Sequence, residues 1–183
     1  MISVVAVTGA SGAIYGIRLL QVLPGEKILI MSRTAREVIP AETDYTAEQV
    51  EALADRVYSD DDLFAPVASG SFVYDVLFVC PCTESSVAKF AVGIGDTLIS
   101  RTFMCALKEN RRIVIVPRET PKSAIMLENE LKLARLGVTV LDANPGFYPR
   151  PQTVAEIVDF IVGRCLSAGG VEQRLFPPWK GRE

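Results

Sequence analysis

The stretch Ser3-Val4-Val5-Ala6-Val7-Thr8-Gly9-Ala10-Ser11-Gly12 decides the fold of this chain. Its first half, Ser3–Val7, is a short β-branched apolar run of the kind that forms a buried strand, and Thr8-Gly9 ends it. Beyond Gly12 the apolar residues recur with the spacing of one helix face, at Ile14, Ile17, Leu20 and Leu23. A buried strand that leads through a glycine turn into an amphipathic helix is the first half of a βαβ unit.

The same alternation continues along the chain. Further strands are predicted at Lys27–Met31, Val76–Val79 (broken by Pro81), Ile113–Val116 and Val138–Leu141. Helices are predicted from a cap at Ser32 or Thr34 to near Pro40, over Thr46–Asp55, from an Asp96 cap through Glu109, from about Pro121 to Gly137, and after a capping-box pair at Thr153 and Glu156. This pattern predicts a single α/β domain over residues 1–183, with a C-terminal tail at about 169–183 and a parallel sheet covered by helices on both faces.

Composition excludes several functional classes. The chain has 183 residues, 49% of them apolar, and a net charge of −3, which gives no sign of a nucleic-acid partner. The apolar runs are far shorter than the roughly 18 residues that span a membrane, no signal peptide is apparent, and four irregularly spaced cysteines form no disulfide framework. We therefore expect a soluble cytoplasmic protein. Because the chain has no histidine, mechanisms based on an imidazole base or a histidine-ligated metal are excluded.

Ligands of parallel sheets bind beyond the carboxyl ends of the strands, which directs attention to the turn Gly9–Gly12. Glycines and the following helix N-terminus can bring N–H groups to an anion, and Ser11 adds a hydroxyl, although a simple tight turn is the alternative. Ser11 replaces the second glycine of the dinucleotide fingerprint, and Ser32-Arg33 stand where an acidic residue would hold a ribose. A mononucleotide phosphate fits these residues better than NAD. The tyrosine–lysine pair of short-chain reductases is missing.

Two further groups follow other strands. Thr83, Ser85 and Ser86 can hold a phosphate or a polar ring edge, or they can be ordinary helix caps. The neighbouring Cys80-Pro81-Cys82 is a weak metal motif, and Cys80 is more simply the buried end of a strand. The charged residues Arg101, Lys108, Arg118, Glu119 and Arg164 can each be surface groups, or they can together form a positive pocket.

Seven segments, in this order and spacing, resemble the UbiX family of flavin prenyltransferases. They are Thr8–Gly16, Glu42–Asp44, Ser69–Phe72, Pro81–Thr83, Ala106–Glu109, Pro117–Pro121 and Pro145–Tyr148, and the resemblance extends to about Trp179. It implies a flavodoxin-like or Rossmann-like three-layer sandwich that assembles into homo-oligomers, typically dodecamers, with the site where subunits meet. It also implies transfer of a dimethylallyl group from dimethylallyl phosphate to N5 and C6 of reduced FMN. The product, prenylated FMN, would serve UbiD-type decarboxylases, including those of ubiquinone biosynthesis; no metal and no membrane partner are implied.

The resemblance also implies roles for individual residues. FMN would be held by Gly9, Ala10, Ser11, Gly12, Ser32, Thr83, Glu84, Ser85, Ser86 and Arg101, and the prenyl phosphate by Lys108, Arg118, Tyr148 and Arg164. Glu119 would be the acid/base, assisted by Ser11 and Glu42. Two residues depart from the family pattern: Pro149 stands where many relatives have histidine, and Ser85 where bacterial members often have lysine. Trp179 is the candidate for an aromatic residue that closes the site.

Three alternatives share the fold or the flavin. Flavin-dependent cysteine-peptide decarboxylases depend on a catalytic histidine that this chain lacks. A direct FMN-dependent aromatic-acid decarboxylase and a non-catalytic flavin-binding protein are the other two. A second basic cluster argues against mere binding, because FMN alone needs only one phosphate pocket.

Overall fold

The fold is built on one parallel sheet of six strands, in the order β3-β2-β1-β4-β5-β6. We describe residues 1–179 and 181 of a computed structural model; the last residues of the expected tail, at 180, 182 and 183, lie outside the described part. The strands are β1 (Ile2–Val7), β2 (Glu26–Met31), β3 (Arg56–Ser59), β4 (Val76–Cys82), β5 (Arg112–Pro117) and β6 (Thr139–Val140). Every strand pair is parallel, so the predicted sheet type is confirmed.

Helices cover both faces of this sheet. They are α1 (Ala13–Val22), α2 (Arg33–Glu42), α3 (Ala47–Glu51), α4 (Glu84–Val92), α5 (Leu98–Lys108), α6 (Ala124–Arg135) and α7 (Val154–Ala168), with a 3-10 turn at Pro66–Ala68. Alternate residues of β1 face opposite sides: Val5 and Val7 pack with α1, α2, α3 and α7, and Val4 and Ala6 with α4, α5 and α6. The three-layer sandwich expected from the sequence is therefore present.

Several predicted boundaries were wrong. β3 was missed, because the predicted helix over Thr46–Asp55 stops at Glu51 and Arg56–Ser59 continues as a short edge strand. β4 runs through Pro81 to Cys82 rather than ending at Val79, and α2 continues past Pro40 to Glu42. The first N–H groups of a helix need a local acceptor. For α5 this acceptor is Thr97 and not the predicted Asp96, and α6 begins after its cap Ser123, slightly later than the predicted start near Pro121.

Other local predictions are confirmed. Thr153 and Glu156 form the expected capping box of α7, and Ser32 caps α2 by accepting a hydrogen bond from the N–H of Ala35. Cys80 and Cys82 are fully buried in β4, in agreement with a structural role. Among the described residues, no helix combines the length and the apolar character that crossing a membrane requires.

Candidate functional site

A cavity of about 350 Å³ lies beyond the carboxyl ends of β1, β2 and β4. Eight serines and threonines contribute to its wall, so we call it the hydroxyl cavity; its lining consists of Thr8, Gly9, Ser32, Thr34, Asp60, Thr83, Ser85, Ser86, Lys89, Phe90, Thr97, Ile99 and Ser100. Five residues that the sequence assigned to FMN are therefore brought together here: Gly9, Ser32, Thr83, Ser85 and Ser86. A wall of neutral donors suits a polar, phosphate-bearing ligand.

Two helices begin at this cavity. Ser32 caps α2, and Thr83 caps α4 by accepting a hydrogen bond from the N–H of Ser86 at 3.2 Å. The Thr83 hydroxyl also lies 3.1 Å from that of Ser85 and 2.8 Å from that of Ser86. The remaining first-turn N–H groups of both helices have no partner within their own helix, and the helix dipoles favour an anion at this end. Capping and anion binding, the two alternatives for these hydroxyls, are thus compatible.

Thr8 joins the two loops that border the cavity, a role that sequence reasoning missed. Its buried hydroxyl donates to the carbonyl oxygen of Pro81 at 2.9 Å and accepts from the N–H of Thr83 at 2.9 Å. The end of β1 and the start of α4 are therefore held in a fixed relation. No sequence signal could have shown this pairing, because the two segments are 75 residues apart.

The N-terminus of α1 already holds an anion of the chain itself. Gly12 has a positive φ of 99°, and its N–H donates to Glu42 Oε2 at 2.7 Å. Burial by itself would raise the pKa of Glu42, but hydrogen bonds from the Ser11 hydroxyl and the N–H groups of Gly12 and Ala13, together with the charge of Arg118, lower it below its ordinary value. In this structure the Ser11 hydroxyl and the N–H groups of Gly12 and Ala13 therefore serve Glu42. That this turn binds a cofactor phosphate stays a prediction.

Asp60 and Lys89 line the hydroxyl cavity and were not singled out from the sequence. Asp60 Oδ1 accepts from the N–H of Ile99, in the first turn of α5, at 2.7 Å, and burial raises the pKa of this carboxyl. The ammonium of Lys89 lies 2.8 and 2.9 Å from the two carboxylate oxygens of Asp96. Both side chains come from segments without a recognisable motif, which is why sequence reasoning passed over them.

A second cavity, of about 420 Å³, follows β5 and β6. We call it the charged cavity, because its lining includes Arg118, Glu119, Lys122 and Asp142. Arg118 connects it to the glycine turn, since its Nε donates to the carbonyl oxygen of Ser11 at 3.2 Å. Glu119 accepts from the N–H of Thr120 at 3.0 Å and is exposed. A cation and a carboxylate thus lie next to the turn that borders the hydroxyl cavity.

The other predicted phosphate ligands are not collected in the single chain. Arg164 is exposed on α7 and lines a separate cavity of about 410 Å³, and Lys108 lies at the far end of α5, where it pairs with Glu109 at 2.7 Å. Tyr148 contacts aromatic rings instead, with its centroid 5.6 Å from Phe160 and 5.7 Å from Trp179. The expected positive pocket of Lys108, Arg118, Tyr148 and Arg164 is therefore not formed within one chain.

Five residues assigned to FMN lie outside the hydroxyl cavity lining. Ala10 is buried, and Ser11 and Gly12 contact Glu42. Arg101 is exposed in the first turn of α5, and Glu84 accepts from the hydroxyl of Ser123 at 3.1 Å. Among the described residues, no group of three or more acidic or cysteine side chains is arranged to hold a metal ion.

The comparison with known proteins agrees with this geometry. Residues 2–166 match the family of flavoproteins. The chain is 44% identical to a flavin prenyltransferase UbiX of Thermoplasma acidophilum, over 96% of this chain and 98% of that protein. It superposes with a TM-score of 0.97 on AnUbiX (PadA1) in complex with FMN and dimethylallyl pyrophosphate, at 42% identity over 100% and 98% of the two chains. A dodecameric FMN-dependent UbiX-like decarboxylase from Escherichia coli gives a TM-score of 0.96 at 41% identity, over 99% and 100%.

Proposed function

This chain belongs to the UbiX flavin prenyltransferases of the flavoprotein family, and from this premise we propose that it transfers a dimethylallyl group from dimethylallyl phosphate to reduced FMN. The bond between the prenyl carbon and the phosphate oxygen breaks, and a carbon–nitrogen bond forms at N5 with loss of the N5 proton. The alkene of the prenyl group then takes up a proton, and its tertiary carbon bonds to C6 with loss of the C6 proton, which closes a fourth ring. Inorganic phosphate leaves, and prenylated FMN is the product for a UbiD-type decarboxylase.

One observation carries the proposal: two phosphate-compatible cavities lie next to each other and are joined by the hydrogen bond from Arg118 to Ser11. The hydroxyl cavity fits FMN, because it combines two helix N-termini with uncharged donors and with Lys89. The charged cavity fits the phosphate of the prenyl donor. When bound, the reduced flavin supplies the nucleophilic nitrogen. A protein that only stored FMN would have no use for the second cavity.

The residues of the chain then have definite tasks. Gly9, Ser32 and the turn Thr83–Ser86 bind and orient the flavin, and Arg118 stabilises the negative charge that grows on the departing phosphate. Glu119 moves a proton between the reacting centre and that phosphate. Glu42, whose lowered pKa keeps it ionised at neutral pH, holds the Ser11–Gly12 turn in place. No metal is needed for this charge stabilisation when Arg118 and cations from neighbouring subunits provide it.

Mass spectrometry of the bound flavin tests the proposal. After anaerobic incubation of the purified protein with reduced FMN and dimethylallyl phosphate or pyrophosphate, we expect a flavin heavier by one C5H8 unit. Glu119→Gln should keep FMN binding and lower turnover by about 10²-fold or more, the usual contribution of an acid/base group. Glu128→Gln, an exposed change on α6 that lines neither cavity, is the matched control.

Each alternative function has its own outcome in this experiment. A flavin of unchanged mass with both donors would contradict prenyl transfer and favour a flavin-binding protein. Release of CO₂ from an aromatic acid by this protein alone would favour the decarboxylase alternative. Loss of FMN binding in Glu119→Gln would show that the role assigned to Glu119 is wrong.

A further inference from the structure

Lys89 is the one cation in the wall of the hydroxyl cavity, among the lining residues that the structure describes. It lies in α4, one helical turn beyond Ser85. Side chains of a helix lean toward its N-terminus, so the long Lys89 side chain extends back toward the turn Thr83–Ser86. Its side chain is 35% exposed, which leaves the ammonium accessible to a ligand.

The hydrogen bonds of this ammonium leave capacity for a ligand. An ammonium group has three N–H donors, and two of them are directed at the two carboxylate oxygens of Asp96, at 2.8 and 2.9 Å. Asp96 therefore holds the Lys89 head group at the rim of the cavity and leaves one donor available. Because Asp96 already orders the Lys89 side chain, binding a ligand costs less side-chain entropy than it would with an unpaired lysine.

Besides Asp96, one carboxylate in the wall also interacts with the charge of Lys89. Asp60 is the one acidic side chain among the lining residues, and its Oδ1 accepts from the N–H of Ile99 at the N-terminus of α5. Asp60 therefore interacts with the N-terminus of α5 as well as with Lys89. The hydroxyls of Ser32 and Thr83 cap α2 and α4, and Glu84, in the first turn of α4, accepts from the hydroxyl of Ser123.

We propose that Lys89 donates to the phosphate of FMN and is the residue by which this chain selects FMN over riboflavin. The N-termini of α2 and α4 would border the phosphate group, and Lys89, which shares its charge with Asp96, would add a charged donor that the helix ends lack. The ligand identity rests on the function proposed above, but the role of Lys89 depends only on flavin binding and not on prenyl transfer.

Parallel titrations with FMN and with riboflavin test the proposal. We expect Lys89→Met to weaken FMN binding about tenfold, the effect of losing one hydrogen bond to a charged group, and to leave riboflavin binding unchanged. The salt dependence of FMN binding should also decrease, because fewer charges pair in the complex. Lys132→Met, an exposed lysine on α6 that lines neither cavity, is the matched control and should bind both flavins as the wild type does.

Two results would overturn the role of Lys89: Lys89→Met weakens the binding of FMN and of riboflavin equally, or it weakens the binding of neither. If Lys89→Met does not fold, Lys89→Gln is compared in the same way, and unchanged riboflavin binding shows that its cavity is intact. A wild-type chain that binds FMN without prenylating it contradicts the proposed function alone, and the two titrations still decide the role of Lys89. A wild-type chain that binds neither flavin overturns both.

Discussion

Two carboxylates, Glu42 and Asp60, occupy helix N-termini beside the candidate site. Glu42 receives the donors at the start of α1, and Asp60 receives one at the start of α5. Because an anion at a helix N-terminus is favourable, each contact stabilises a loop that borders a cavity. Two helices, α1 and α5, therefore hold carboxylates of the chain at their N-termini, whereas α2 and α4 are capped by the hydroxyls of Ser32 and Thr83.

The lowered pKa of Glu42 predicts how the stability of the protein depends on pH. A carboxyl whose folded-state pKa lies below its unfolded value adds stability above the unfolded pKa, and this contribution is lost as the pH falls through the folded-state value. We therefore expect Glu42→Gln to lower stability at pH 7 by about 0.3–1 kcal/mol, the usual value of a charge at a helix end, and to lose less stability than the wild type between pH 7 and pH values below about 4.5. Thermal unfolding followed across this range measures the difference.

Glu128→Gln is the control for this prediction, because Glu128 is exposed on α6, away from the N-terminus of α1. If the stability of Glu42→Gln depends on pH as that of the wild type does, the carboxylate at Gly12 does not contribute to stability in solution.

At the scale of elements, the loop after β5 is tied to α6 and to the end of β6 by one lysine. Lys122 Nζ lies 2.9 Å from the carboxylate of Glu130 and also bonds to Asp142, and its side chain is only 17% exposed. Burial by itself would lower the pKa of Lys122, but the two carboxylates raise it above its ordinary value. This cluster lies beside Arg118 and Glu119, so it fixes the segment that carries them.

Removing the Lys122 ammonium should lower the stability of the protein, and removing the Glu130 carboxylate as well should restore part of it. We expect Lys122→Met to lower the free energy of unfolding by roughly 2–3 kcal/mol, because two carboxylates are left without their cation, and less than in a fully buried cluster because Asp142 is 39% exposed. The double change Lys122→Met and Glu130→Met should recover part of this loss, since an apolar pair replaces an ion pair at little cost. Urea unfolding measures both variants.

The pair Arg174–Glu172 provides the matched control. Both side chains are more than three-quarters exposed, so Arg174→Met should change stability by less than about 1 kcal/mol. If the double variant at Lys122 and Glu130 is no more stable than Lys122→Met, the loss comes from packing and not from uncompensated charge.

At the scale of the whole molecule, large apolar side chains are left uncovered on the surface. Phe64 is 100% exposed, Phe147 68% and Trp179 67%. Exposed apolar surface often marks an interface with another protein chain. Together with the scattered positions of Lys108, Tyr148 and Arg164, this supports a homo-oligomer, proposed as a dodecamer, in which neighbouring subunits complete the prenyl phosphate pocket.

Sedimentation velocity tests the assembly. We expect the wild type to sediment as a multimer and Phe64→Asp to shift toward smaller species, because burying a charge in an apolar contact is unfavourable. Asp61→Asn, in the same loop, should sediment as the wild type does. A wild-type chain that is monomeric at all concentrations would contradict the oligomer and, with it, a shared phosphate pocket.

Local patterns made much of this fold predictable. Apolar periodicity located five of the six strands, and capping residues such as Ser32 and Thr153 located helix starts, because these features depend on contacts between residues three or four apart. The short edge strand β3 escaped prediction, because its residues Arg56–Ser59 are only partly buried and carry no apolar run. The hydroxyl residues after the strands were identified because apolar periodicity had already located the strands that precede them.

The sequence by itself thus determined the parallel α/β sheet, the turn Gly9–Gly12 and the hydroxyl group at Thr83–Ser86. Only the tertiary structure decided which helix ends stay open to a ligand, through the contacts of Gly12 with Glu42 and of Asp60 with Ile99. It also decided that Lys89 lines the cavity while Lys108 does not. The physical reason is that these contacts join segments about 30 to 40 residues apart, whose meeting depends on how helices cross the sheet and not on any local spacing.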